Sequence, residues 1–130
     1  MLLLIREMEP KKILLVEDDN IIREAYQHYF EKSGFSVYTV ENGPDAISFA
    51  QNQDFDIVVL DIIIPGFDGF HVIEKLKQNE KTAKVPIMIL TNLDDEKYVK
   101  RATKLGASEY LIKSNTTPEQ TVEHIKSLIV

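Results

Sequence analysis

The chain has 130 residues, no cysteine, and fifteen Lys and Arg against twenty-one Asp and Glu, a net charge of −6. That length suits one domain of the commonest size, about 100–150 residues, which needs no metal or disulfide to hold its core. The missing Cys excludes a disulfide framework, thiolate metal sites and thiol catalysis, and the acidic balance argues against nucleic acid as a direct partner.

In chain order, Met1 to Ile5 is apolar but is broken at once by Arg6 and Glu7. It is too short for a secretory core of about 7–15 residues or a membrane span of about 20. Residues 1–10 are therefore expected to be an N-terminal extension and residues 11–130 the domain.

From Lys11 onward one rhythm repeats: a short apolar run, a polar turn, an amphipathic stretch. The runs Ile13–Val16, Val37–Val40, Ile57–Leu60, Ile87–Leu90 and Tyr110–Ile112 are short, rich in β-branched residues and bounded by turn residues, so they are predicted strands. Most are continuous rather than alternating, the pattern of a parallel sheet covered on both faces.

The intervening stretches have helical periodicity. Ile22, Ala25, Tyr26, Tyr29 and Phe30 form one stripe that Gly34 should end in a left-handed cap. Pro44 opens a second helix with Ala46, Ile47 and Ala50 inward, and a third carries Val72, Ile73 and Leu76. A fourth carries Val99, Ala102 and Leu105 and stops at Gly106. The last opens with a capping box, Thr117 to Gln120, and buries Val122, Ile125 and Ile129.

Five strands alternating with five helices predict an α/β domain with a doubly wound five-stranded parallel sheet, in the flavodoxin-like order 2-1-3-4-5. Such sheets place their site beyond the carboxyl ends of the strands. There the sequence sets Glu17-Asp18-Asp19 after strand 1, Asp61 after strand 3, Thr91 at strand 4 and Lys113 after strand 5. Asp61 interrupts an apolar run from Ile57 to Ile64, where a carboxylate costs several kcal/mol, roughly, unless a cation or donors offset it. Helix capping accounts for one such Asp but not for Glu17, Asp18 and Asp61 converging on one pocket. A hard divalent cation such as Mg²⁺, with Lys113 and the Thr91 hydroxyl beside it, is the layout for phosphoryl transfer onto a carboxylate.

Ile13-Leu14-Leu15-Val16-Glu17-Asp18-Asp19, Asp61 followed by Pro65-Gly66 and Asp68-Gly69, Thr91 and Lys113 together resemble the receiver domain of two-component response regulators. The resemblance covers residues 11–130. It implies that Asp61 accepts a phosphoryl group from a sensor histidine kinase or phosphotransfer protein. It further implies that Glu17, Asp18, Asp61 and the Ile63 carbonyl hold Mg²⁺ and that Lys113 contacts the phosphoryl group. Thr91 and Tyr110 would then switch the surface of helix 4, strand 5 and helix 5 for a downstream protein. A cytoplasmic domain is implied, without membrane or direct nucleic-acid contact, either monomeric or dimerising on phosphorylation. With nothing following helix 5 in the sequence, it reads as a stand-alone receiver or as one domain of a longer protein.

Three departures from the family pattern carry expectations. Ser114 stands where Pro is usual, so a trans peptide bond is expected after Lys113. Asn92 stands where a small residue is usual and is expected to crowd the pocket. Ile63 and Leu93 are apolar where attacking water enters, so slow hydrolysis of the aspartyl phosphate is expected.

Other readings compete. A phosphohydrolase using an aspartyl phosphate needs a second Asp two residues after the nucleophile, and that position is Ile63. A flavin or nucleotide domain needs an anion nest after strand 1, where Glu17-Asp18-Asp19 would repel phosphate. A degenerate receiver acting as a phosphorylation-independent interaction module is the remaining alternative. His28, His71 and His124 lack ligand spacing and are taken as surface or half-buried helix residues. Lys97, Lys100, Arg101 and Lys104 form a solvated face that doubles as output surface, with Tyr98 exposed on it. Phe67 and Phe70 are assigned to loop packing, with partner docking as the secondary reading.

Overall fold

Strand β1 (Lys12–Val16) is followed by α1 (Asn20–Lys32), β2 (Ser36–Val40), α2 (Gly43–Asn52), β3 (Ile57–Leu60) and α3 (Gly69–Gln78). Then come β4 (Ile87–Thr91), α4 (Glu96–Leu105), β5 (Glu109–Ile112), a 3₁₀ turn (Lys113–Asn115) and α5 (Pro118–Ile129). The structure, a computed structural model, describes residues 9–66 and 68–129. The N-terminal extension therefore lies outside the described residues except for Glu9 and Pro10, and so does Phe67.

The strands form one parallel sheet in the order β2-β1-β3-β4-β5, as the alternation of elements predicts. Three of the five expected strands begin one residue earlier than the apolar runs, at Lys12, Ser36 and Glu109, because main-chain pairing continues past the last buried side chain.

Alternate residues along each central strand point to opposite faces. Leu14, Val16, Val58, Leu60, Ile87 and Ile89 pack with Ala46, Ala50, Phe70, Ile73, Leu76 and Ala102 of α2, α3 and α4. Ile13, Leu15, Ile57, Val59, Met88 and Leu90 pack with Tyr26, Phe30, Val122 and Ile125 of α1 and α5. Covering on both sides is why β3 is apolar throughout and β1 and β4 are apolar apart from Lys12 and Thr91 at their ends, whereas the edge strands β2 and β5 are mostly half-buried.

Each helix begins where a side chain takes up an otherwise unpaired amide. Asp19 accepts from the Ile22 N–H, Asn42 from Asp45, Asp68 from His71 and Asp95 from Lys97. At α5, Thr117 and Gln120 exchange bonds reciprocally at 2.9 and 3.1 Å, the expected capping box. Gly34 and Gly106 end α1 and α4 at φ of 101° and 114°, left-handed as expected.

Some side chains depart from the helical stripes. Ala25 is exposed, because the sheet takes up Tyr26 and Phe30 and leaves no partner for a methyl at the stripe's edge. Phe70 is not in a loop: it opens α3 and is buried. Tyr98 is half-buried rather than exposed, stacked on Phe70 with ring centroids 6.1 Å apart.

Candidate functional site

Register brings the acidic residues together. Val16 pairs with Leu60 across β1 and β3, so Glu17 and Asp61 leave the sheet side by side, and the Asp61 N–H donates to the Val16 carbonyl at 3.2 Å. Both are buried, Glu17 3% and Asp61 8% exposed. Lys113, the first residue beyond β5, reaches across the carboxyl end of the sheet. Its Nζ lies 2.6 Å from Asp61 Oδ2 and also contacts Glu17 Oε1. The other Asp61 oxygen, Oδ1, accepts from the Ile63 N–H at 3.2 Å, and Glu17 Oε2 accepts from the Asp19 N–H at 3.1 Å.

Burial alone would push the Lys113 ammonium down. Hydrogen bonds to Asp61 and Glu17, together with their charges, outweigh that cost and leave its pKa above the ordinary lysine value. Two desolvated carboxylates on one ammonium are costly to assemble, and such clusters are poor choices for stability alone.

The expected convergence of three carboxylates is only partly met. Glu17 and Asp61 meet at Lys113, whereas the Asp18 side chain is exposed, and no group of three acidic or His residues closes around one point among the described residues. The reason is electrostatic: Lys113 stands between two carboxylates and offsets their charge, and a third is better left in water.

Thr91, fully buried at the end of β4, has its Oγ1 near the Leu93 N–H at 3.4 Å. The Tyr110 hydroxyl donates to the Leu93 carbonyl at 2.7 Å. Burial, then the charge of Asp61, pushes the Tyr110 phenol up to about 12. Asn92 is exposed, and its Oδ1 accepts from the Ser114 N–H at 3.0 Å. The Lys113–Ser114 peptide bond is trans, as expected from the absence of Pro. Ile63 is 63% exposed, while Leu93 is half-buried against the cluster on the α2–α4 side of the sheet.

Gly69 is required by space. A Cβ there would stand 2.6 Å from the Asp61 carbonyl oxygen and 2.7 Å from Ile62 Cα, and its N–H donates to the Ile62 carbonyl at 2.7 Å. The start of α3 is thereby pressed against the backbone that carries Asp61.

Sequence reasoning passed over Arg23. Its guanidinium donates to the Glu17 and Asp18 carbonyls at 3.0 and 3.4 Å and pairs with Glu41 at 2.8 Å, so it braces the acidic loop from below. A signal was available, because a cation early in a helix opposes the helix dipole and needs a local reason. On α4, Lys100 pairs with Glu96, Arg101 lies 4.2 Å over the Phe70 ring, and Lys97 lies 5.0 Å from the Tyr98 ring. Among the histidines, His124 contacts Glu109 across α5 and β5. No helix among the described residues is long and apolar enough to cross a membrane.

A family model described as the response regulator receiver domain matches residues 13–126. The probable transcriptional regulator ycf29 of Porphyra purpurea is 37% identical over 117 residues, covering 90% of this chain and 56% of the relative. The alkaline phosphatase synthesis transcriptional regulatory protein PhoP of Bacillus subtilis is 33% identical over 119 residues, covering 92% and 48%. The chain thus spans about half the length of these curated relatives. Among solved structures, the Vibrio cholerae chemotaxis protein CheY4 superposes with a TM-score of 0.86 at 25% identity, covering 92% of this chain and 98% of that one. The BeF3-activated N-terminal receiver domain of Klebsiella pneumoniae RstA does so at 0.85 and 28%, with the same coverage. Strand order and family model agree over nearly the whole length, and the chain belongs to the receiver domains of two-component response regulators.

Proposed function

We propose that Asp61 is the phosphoacceptor. The observation that carries this is a buried carboxylate at a strand end with one oxygen on the Lys113 ammonium and the other on the Ile63 N–H. The carboxylate attacks phosphorus of a phosphohistidine on a sensor kinase or phosphotransfer protein. A new O–P bond forms, the P–N bond breaks, and the imidazole leaves with its electron pair and takes a proton.

The donor set suits Mg²⁺. Glu17 and Asp61 already share one cationic partner, Asp18 follows in the same loop, and all three offer hard oxygens. These carboxylates and the Ile63 carbonyl would hold the ion, which when bound neutralises charge on the transferring group. Lys113 then moves its contact from Glu17 toward a phosphoryl oxygen and keeps Asp61 oriented.

On the acyl phosphate, the Thr91 hydroxyl turns toward a phosphoryl oxygen and the segment from Asn92 to Leu93 follows. Because Tyr110 is tied to Leu93, the movement reaches β5 and the α4–β5–α5 face. That face is assigned to the downstream protein partner in a cytoplasmic pathway, whereas Tyr98 and Arg101 pack on Phe70 of α3. Apolar Ile63 and Leu93 slow the entry of water, so the acyl phosphate persists, and its lifetime shortens when both are made polar.

Intact mass after incubation with acetyl phosphate and Mg²⁺ tests the assignment. One phosphoryl group is expected in the wild type and none in Asp61→Asn or without Mg²⁺. No gain in folded wild type, with a phosphohistidine donor also supplied, would overturn it.

A further inference from the structure

The β4–α4 loop and the turn after β5 are joined twice. One bond is Tyr110 Oη to the Leu93 carbonyl, and the other runs from the Ser114 N–H to Asn92 Oδ1 at 3.0 Å. The second exists only because position 114 has an amide hydrogen, which Pro would lack, and position 92 has a side-chain acceptor. Asn92 directly follows Thr91, and Ser114 directly follows Lys113. Thr91 is also paired with Ile112 in the sheet. The bond therefore lies one residue beyond Thr91 at the end of β4 and one residue beyond Lys113, whose ammonium rests on Asp61.

Packing does not account for it, since Asn92 and Ser114 are both exposed. The 3₁₀ turn Lys113–Asn115 has no side-chain cap of its own, and the first amides of such a turn lack internal partners. Asn92 supplies the missing acceptor from a neighbouring loop. Asn92 and Ser114 were separately unexpected in the sequence, and in space they are one contact.

We propose that Asn92 is a positioning residue: by accepting the Ser114 N–H it fixes the turn that aims Lys113 at Asp61, and it couples displacement of the Thr91–Leu93 segment to Lys113. The latch itself is independent of the function assigned above, while its kinetic consequence rests on that assignment.

A double-mutant cycle tests it on the full chain, with exchange of the Ser114 amide hydrogen read by NMR and phosphoryl gain from acetyl phosphate read by mass. Asn92→Ala is expected to speed Ser114 exchange and to slow phosphoryl gain by roughly three- to ten-fold, the range of one hydrogen bond. Ser114→Ala keeps the N–H, so Asn92→Ala should cost as much in that background. Ser114→Pro removes the N–H, and there Asn92→Ala should add nothing. Equal cost in the Pro and Ala backgrounds would overturn the proposal, as would phosphoryl gain unaltered by Asn92→Ala. If the wild type takes no phosphoryl group even with a phosphohistidine donor supplied, the assignment of Asp61 falls, and the exchange measurement alone decides the latch: an unchanged Ser114 rate refutes it.

Discussion

At the amino end of the sheet, Ala50, Phe55, Val58, Leu76 and Val85 surround a cavity of about 130 Å³, and the buried polar side chain there is Thr82, whose hydroxyl donates to the Leu76 carbonyl at 2.6 Å. At the carboxyl end of the same strands, Glu17, Asp61 and Thr91 are buried and Lys113 lies between the two carboxylates. The first end uses one neutral donor to finish the last turn of α3, a cheap solution with a main-chain partner. The second buries charge on charge, which returns little stability for its desolvation cost. Stability explains the amino end, whereas the carboxyl end is the arrangement that the proposed phosphoryl transfer requires.

The sharpest way to break that contrast is Lys113→Met. It leaves Glu17 and Asp61 facing each other without a cation, and about 3 kcal/mol should be lost at neutral pH in urea unfolding. Added Mg²⁺ should raise the melting temperature of this variant more than that of the wild type. A loss below 1 kcal/mol, roughly, would mean that the carboxylates are better solvated than their burial indicates.

Gly69→Ala comes next. Its Cβ must displace the Asp61 carbonyl or the Ile62 Cα, at a cost of about 1–3 kcal/mol. Because the displaced backbone carries Asp61, phosphoryl gain should fall beyond what the stability loss explains. Thr82→Val, at the opposite end, should cost about 1–2 kcal/mol by leaving the Leu76 carbonyl unpaired. Phosphoryl gain should be unchanged, and a loss there would blur the division between the two ends.

The smallest effect is expected from Tyr110→Phe. Folding holds this phenol neutral to about 12 against an ordinary 10.0, so above pH 10 the unfolded chain releases its proton first. Stability from this group is therefore complete below pH 10 and declines as pH rises through the interval to about 12. The variant should lose about 1 kcal/mol at pH 8, the hydrogen bond to Leu93, and should show a shallower alkaline decline in pH-dependent unfolding.

How much of this was legible depends on whether the determinant is local. Continuous apolar runs announced β1, β3 and β4 because both of their faces are covered, and Asp61 stood out because it breaks such a run. The Asp, Asn and Thr caps are also local, acting within three residues. Ala25 and Tyr98 were misplaced because periodicity gives the direction of a side chain but not what meets it there. Phe70 was assigned to a loop because its neighbouring glycines suggested a turn, whereas Gly69 serves to let α3 approach Asp61.

The sequence by itself determined the sheet, its covering by helices and the four strand-end groups, since each is encoded in segments a few residues long. Only the tertiary structure decided that Lys113 rests on both Glu17 and Asp61 while Asp18 stays in solvent, that Arg23 braces the acidic loop, and that Asn92 meets Ser114. Those pairings join residues on different strands and loops, and register and loop geometry set them, not any pattern along the chain.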